Sequence, residues 1–346
     1  MRDLKKLLPF VAIIFFALGV GSRLWWGEHV RQRMAYATPL RLLCAEGWLS
    51  SERLEAFSAK HHVPIQHFTY ANPTEMLRQL ANSDGKIDVV CSPSSLIRSL
   101  ARNQWIRKYP YREMSQARAL AIDFLQLPYD QNSEYSVPIF WDLYGFFGRP
   151  ERLEVTTKQL LQTKKVGLWN DDLNLSQLMV LANLKGKPDT LLKNAARRIP
   201  VQAEAGSPDK LLNGLDWAQV PLNRVSAWLN ESYHFVLPEE GSSLILGTLA
   251  IGDKASQPDL AAKLINDLIS TEHALEVHKR LHTGVVHRTL DNDENIPAWL
   301  RPQGLRRFAL TRIKFPDIEI ESLLGSEKSM AQEADERSKK SSDGEE

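Results

Sequence analysis

A chain of 346 residues exceeds one average domain, and 43% hydrophobic with 25% charged residues is the composition of a globular protein with more than one lobe. Its 43 Lys+Arg against 42 Asp+Glu leave no basic excess, so nucleic acid is not an expected partner. Two cysteines, Cys44 and Cys91, exclude a disulfide scaffold or four-thiolate metal site, and the nine histidines show no paired ligand spacing, with His61, His62 and His67 read as a helix end and a strand.

The chain opens with Arg2, Lys5 and Lys6 ahead of an apolar run from Leu7 to Val20, and a Gly-containing stretch then leads to Trp25 and Trp26. The 20 residues from Leu7 to Trp26 are enough to span a bilayer, with Arg23 free to snorkel and two Trp at interface depth. No clear small-x-small cleavage signal is present and no cysteine directly follows the run, so a lipoprotein anchor is not expected. An uncleaved signal anchor over 1–27 is therefore expected, with a cleaved signal peptide as the alternative. Residues 28–37 form a tether, and everything beyond lies outside the cytoplasm.

Leu40 to Ala45 reads as a strand, Glu52 to Lys60 as a helix with Leu54 and Phe57 inward, and Pro64 to Tyr70 as the next strand. Asn72, Pro73 and Glu75 form a helix start with capping chemistry, and Met76, Leu77 and Leu80 supply the apolar face. Asp84-Gly85 turns into a strand over Ile87 to Cys91, and a helix follows from near Ser95 to Asn103. This alternation predicts an α/β fold with parallel sheet, whose ligands sit beyond the carboxyl ends of strands, here Ala45 to Trp48 and Cys91 to Ser95. Cys44 and Cys91 fall at the ends of two neighbouring strands. Two buried thiols are preferred over a bridge, because adjacent parallel strands seldom offer disulfide geometry.

The stretch PYDQNSEYSVPIFWDLYGFFG, residues 128–148, runs from a polar turn region into an aromatic strand. Pro138 suits a strand start, an edge or a crossover, and Trp141 is followed at once by the carboxylate Asp142. One interpretation is a crossing between two lobes with Trp141 and Asp142 facing the gap; the other is a buried edge strand with a solvated Asp. Farther on, Leu175 to Leu181 gives a helix face, Leu191 starts another helix, and Leu260, Leu264 and Leu268 mark a helix after Ser256. A further helix spans Thr271 to Leu281. Ala298 to Arg307 reads as a solvated basic face, and 326–346 as a disordered tail.

The segments CAEGWLSSERLEAF (44–57), TYANPTEMLRQL (69–80), IDVVCSPS (87–94) and PYDQNSEYSVPIFW (128–141) together resemble the spermidine- and putrescine-binding branch of the periplasmic solute-binding proteins of ABC importers. Weaker similarity continues through VGLWNDD (166–172) and LPEEGSSLILGTLAI (237–251), so that the likeness covers most of residues 40 to 290. It implies a two-lobe periplasmic-binding-protein fold (type II), each lobe a mostly parallel sheet flanked by helices, the lobes joined by crossing strands. Lobe one would hold 38–140 and 248–325, and lobe two 141–247.

Carried over by position, the resemblance implies a ligand-binding set of Glu46, Trp48, Ser92, Ser94, Trp141, Asp142 and Asp172. The carry-over is partial. Ala45 stands where the family stacks a Trp, Ser94 replaces an aromatic, Leu175 sits at a second acid's place, and Ile245, Gly247 and TGVVHRTL (283–290) lack the family's ligand residues. The expected ligand is a small cationic, amine-bearing molecule different from spermidine, held by Glu46, Asp172 and Asp142, since an ammonium leaving water needs a carboxylate or aromatic partner. The expected partners are an ABC permease and the inner membrane through residues 7–26. A membrane-anchored interaction or sensory module with a degenerate pocket is the alternative. No GxSxG, P-loop or metal motif is present, so neither an enzyme nor a cofactor is expected.

Overall fold

The computed structural model describes residues 38–149, 156, 157, 159, 165–169, 197–199, 206–307 and 313–314. The expected anchor, tether and tail, the helices around Leu175 and Leu191, and Asp172 lie outside the described residues. No helix among the described residues is long and apolar enough to cross a membrane.

Strands and helices alternate at the start as their periodicities predict: β1 (Leu40–Ala45), α1 (Ser51–His61), β2 (Ile65–Tyr70), α2 (Pro73–Asn82), β3 (Val89–Pro93) and α3 (Ser94–Arg102). The start of α2 is chemically specified. Asn72 accepts from the Glu75 N–H at 2.9 Å, Pro73 occupies the first turn, and the Glu75 carboxylate reaches back to the Ala71 N–H at 2.7 Å. Met76, Leu77 and Leu80 then bury the inner face of the helix.

Ten strands among the described residues form one continuous sheet. The later elements are β4 (Val137–Gly148), β5 (Val166–Trp169), β6 (Arg197–Ile199), α4 (Pro208–Leu212), β7 (Trp217–Pro221), β8 (His234–Val236), β9 (Ser242–Ile251), α5 (Pro258–Leu268), α6 (Thr271–Leu281) and β10 (Ile313–Lys314). The strand order is β2-β1-β3-β9-β4-β7-β5-β6, with β8 also on β4 and β10 also on β9. The flanks, β2-β1-β3 and β7-β5-β6, are parallel. The middle is antiparallel because β9 returns between β3 and β4. The sheet feeds two hydrophobic cores, one per lobe of this two-lobe α/β fold. The larger gathers Leu42, Leu77, Leu96, Leu143 and Leu264, and the smaller Tyr144, Phe147, Trp169, Ile199 and Val220. The changeover falls inside β4, whose residues to Leu143 pair with β9 and whose residues from Tyr144 pair with β7.

Pro138 therefore lies in a central strand, at its second residue, and the pairing with β9 shifts register between Pro138 and Phe140 to accommodate the missing donor. The polar run before it is wound around Asp130, whose carboxylate accepts from the N–H groups of Glu134, Tyr135 and Ser136 at 2.9–3.0 Å. The segment 298–307 departs from the expected solvated face. Leu300 and Leu305 are buried and the Leu300 carbonyl accepts from the Val285 N–H at 2.9 Å, so only part of that segment faces water.

Cys44 and Cys91 form a disulfide, which corrects the expectation of two free thiols. Register is the reason. Leu42 pairs with Val89 and Leu43 with Val90, so the two cysteines stand one step further along, side by side with 4.6 Å between Cα atoms, inside the range a bridge requires. A bridge is also at home outside the cytoplasm.

The carboxylate of Asp88, fully buried, accepts four hydrogen bonds. One oxygen accepts from the Arg41 N–H at 2.8 Å; the other accepts from the Ser256 N–H at 2.6 Å, the Ser256 hydroxyl at 3.0 Å and the Gln257 N–H at 3.1 Å. It thus joins β1, the entrance to β3 and the start of α5. Gly252, whose N–H bonds the Asp88 carbonyl, has no room for a side chain because a Cβ would run into the Ile87 carbonyl.

Replacing Asp88 with Ala orphans these backbone donors and should cost about 3 kcal/mol in urea unfolding. The Cys44–Cys91 bridge closes a 47-residue separation, for which the chain-entropy model gives about 4 kcal/mol. The double Cys→Ala variant should lose about 2–4 kcal/mol, and thiol titration of unreduced, unfolded protein should find none; two titratable thiols would contradict the bridge.

Candidate ligand-binding site

The chain elements converge where β4 passes between the cores. Asp142 lies inside β4 opposite Ile245 of β9, half-buried, and its carboxylate accepts from the Leu143 N–H at 2.9 Å and the Asn223 N–H at 3.1 Å. Asn223 belongs to a short 3-10 helix, Leu222–Arg224, that β7 delivers through Pro221. Its side-chain amide in turn donates to the Leu281 carbonyl at the end of α6, at 3.1 Å. One residue earlier, Arg280 donates to the carbonyls of Gly47 at 2.8 Å and Trp48 at 2.6 Å, tying the loop after β1 to the same helix end.

A cavity of about 290 Å³ opens at this junction. The smaller lobe contributes Trp169, Asn223, Arg224 and Trp228, and α6 with its left-handed cap contributes Arg280, Leu281 and His282. The Arg224 guanidinium lies 5.6 Å from the centroid of the Trp169 ring, within cation–π range. Partial burial pulls Arg280 below its ordinary range, opposed by Glu276 and Glu52, yet a guanidinium stays charged at any physiological pH. Aromatic faces and positive charge therefore dominate the described wall.

Of the residues expected at the site, Glu46 is exposed in the loop after β1, and its carboxylate makes no hydrogen bond among the described residues. Trp48 is half-buried and meets Phe140 edge-on, 4.8 Å between centroids. Asp142 stands behind the cavity wall and holds Asn223 in place. Three others are interior. The Ser92 hydroxyl donates to the Pro93 carbonyl at 3.1 Å, and the Ser94 hydroxyl accepts from the Leu246 N–H at 3.1 Å. Trp141 does not face the gap: at 0% exposure it lies against Phe124, donates through Nε1 to the Val285 carbonyl at 3.0 Å, and exchanges two backbone hydrogen bonds with Gly284. A Cβ on Gly284 would collide with the indole, so the close approach needs glycine there. Asp172 lies outside the described residues.

Trp169, Asn223, Arg224, Trp228, Arg280 and His282 were not anticipated as site residues. Trp169 sits inside the VGLWNDD segment that marks the start of the second lobe, the one available signal. The others occupy short 3-10 turns or a helix end, where no hydrophobic period exists to set them apart.

Burial pushes the Asp142 carboxyl from its ordinary 3.8 up to about 7, against the Leu143, Asn223 and Leu222 N–H groups and Arg224, all of which favour the anion. The folded protein thus keeps a proton that the unfolded chain has released, so this contribution to stability is full below about pH 4 and is lost as pH rises through about 7. Asp142→Asn retains an acceptor oxygen without the charge. Urea melts across that window should show the parent losing stability with rising pH and the variant losing less; equal slopes would contradict the assignment.

No family model matches the chain. It is 23% identical over 251 residues to the spermidine/putrescine-binding periplasmic protein of Salmonella typhimurium, covering 65% of this chain and 70% of that protein. Among solved structures it is similar to the spermidine/putrescine ABC transporter substrate-binding protein PotD of Streptococcus pneumoniae, with 14% identity, a TM-score of 0.60, and coverage of 86% of this chain and 98% of that one. The Tp0655 (TpPotD) lipoprotein of Treponema pallidum gives 15% identity, a TM-score of 0.63, and coverage of 84% and 98%. The structures establish the fold, and the relatives are binding proteins rather than enzymes. The chain is a divergent relative of the spermidine/putrescine-binding periplasmic proteins, built on the two-lobe fold of the substrate-binding proteins of ABC transporters.

Proposed function

We propose that this protein is the extracytoplasmic solute-binding subunit of an ABC importer, closing its two lobes over a small amine-bearing solute that also carries an anionic group. The observation that carries this is the junction cavity, walled from one lobe by Trp169, Trp228 and Arg224 and from the other by Arg280 and His282. Tryptophan faces suit a methylene chain and an ammonium, while guanidinium forks suit a carboxylate or other oxyanion. Putrescine or spermidine brings only positive charge to that wall and would meet repulsion from both arginines. Glu46, exposed in the loop after β1 whose Gly47 and Trp48 carbonyls are tied to Arg280, would take the ammonium together with Asp172, the acid that the family resemblance names. Ser92, Ser94, Trp141 and Asp142 would act by shaping the seam. A permease receives the solute, and residues 7–26 hold the protein at the inner membrane as an anchor.

A membrane-anchored interaction or sensory module is the second reading. It is favoured by the number of expected ligand positions whose polar atoms are already bonded within the fold, namely Ser92, Ser94 and Asp142.

Calorimetry and thermal shift on the purified full chain decide between them, with lysine, arginine, putrescine, spermidine and a quaternary amine as probes. A basic amino acid should bind saturably, add roughly 2.7 kcal/mol of stability at 100 times its dissociation constant, and lose about tenfold in affinity or more in Arg224→Gln. Putrescine binding more tightly than either amino acid would overturn the anionic-group assignment. No heat and no shift with any probe would overturn solute binding and leave the interaction module.

A further inference from the structure

A second hollow, larger than the one at the lobe junction, lies wholly within the neighbourhood of the larger core. Between β4 and α3 the chain runs through three 3-10 helices, Tyr111–Glu113, Gln116–Ala119 and Ile122–Phe124. That segment is laid against the strand-like stretch after α6: Leu120 bridges His287, and the Ala121 N–H donates to the Val286 carbonyl at 2.8 Å. The two segments enclose a cavity of about 420 Å³. Its floor is apolar, from buried Ala117, Leu120, Ala121 and Val137.

Its rim is cationic. Four arginines, Arg112, Arg118, Arg288 and Arg306, line it with two aspartates, Asp123 and Asp291, an excess of two positive charges. Both aspartates are already engaged, Asp123 by Arg306 at 2.8 Å and Asp291 by the Gln303 N–H at 3.0 Å. Arg112 spends its donors on neutral groups, the Gln131 carbonyl at 3.4 Å and the Gln126 amide oxygen. The guanidiniums of Arg118 and Arg288 have no hydrogen bond or ion pair among the described residues. With Asp123 taken up by Arg306, the four guanidiniums around this hollow exceed the carboxylates by two, and a bound oxyanion relieves their repulsion while accepting the N–H groups of Arg118 and Arg288. At the same rim stands Ile122, 66% exposed, the one large apolar side chain left in solvent among the described residues. Apolar walls with a few convergent polar groups, at this volume, are the usual make-up of a small-molecule pocket.

We propose that this cavity is a second binding site, separate from the lobe junction, for a small organic oxyanion with an apolar body: the carboxylate or phosphate end bound by Arg118 and Arg288, the body covering Ile122 and the floor. The site stands independently of the solute proposed for the junction, because it shares no lining residue with that cavity.

The test is calorimetry of the full chain with octanoate, inorganic phosphate and octylammonium. Octanoate should bind saturably at one site, phosphate more weakly and octylammonium not at all. The double variant Arg118→Glu/Arg288→Glu should weaken octanoate by about tenfold or more, whereas Arg118→Lys/Arg288→Lys should retain most of the affinity and Arg224→Gln all of it. Both arginines are exposed, so the variants should melt as the parent does. Octanoate and phosphate both failing to saturate, octylammonium binding as well as octanoate, or charge reversal leaving octanoate unchanged would each overturn the site. Phosphate binding as tightly as octanoate would overturn the part assigned to the apolar body.

Discussion

Strand β4 has to serve two cores at once, and that constraint organises the rest of the molecule. Its first half is hydrogen-bonded to β9 and its second to β7 and β8, so Leu143 belongs to one core and Tyr144 to the other. A one-residue slip would turn every apolar side chain to the wrong face on both sides. The indole of Trp141, locked over Gly284 and bonded to Val285, pins that register from the larger lobe. Asp142, the next residue, passes the constraint outward through Asn223 to the end of α6. The junction cavity is what remains between these fixed points.

The distribution of charge follows from where carboxylates are used up. Asp88, Asp130 and Asp142 each collect backbone N–H groups: Asp88 joins two strands to a helix start, Asp130 winds the loop before β4, and Asp142 ties β4 to the turn after β7. Acids engaged in this way hold the fold together and are poorly placed to meet a ligand ammonium. Arginines reach water on long stems and keep their charge, so both described cavities carry a positive rim although the chain as a whole is almost neutral, at +1. A fold related to polyamine binders need not carry a polyamine site, because the fold fixes where two lobes meet and the side chains at the seam fix what is held there.

Much of the architecture was legible because it rests on short-range chemistry. Asn72, Pro73 and Glu75 start a helix wherever they occur in that order, and Thr271 to Leu281 carries its apolar face in its own spacing. The crossing at β4 and the return at β9 were implied by the family resemblance of their segments, because local chemistry left a buried edge strand equally open at β4. The expected solvated segment 298–307 went partly wrong because its buried residues, Leu300 and Leu305, sit in irregular turns without a period to betray them.

The candidate site was much less legible, for a physical reason. The sequence by itself determined the residues whose role depends on neighbours within a turn or two, namely the caps and the strand alternation, with Glu46 and Trp48 beyond the end of β1. The two-lobe order was implied by the resemblance of whole segments to a known family. Only the tertiary structure decided which way Trp141 points, that Cys44 and Cys91 stand abreast, and that Arg224 and Arg280 look into one hollow. These outcomes depend on strand register and on contacts between residues far apart in the chain, such as Trp141 with Val285 and Asn223 with Leu281. No local pattern encodes that, because an indole, a thiol or a guanidinium has the same local preferences whether a distant segment covers it or leaves it open.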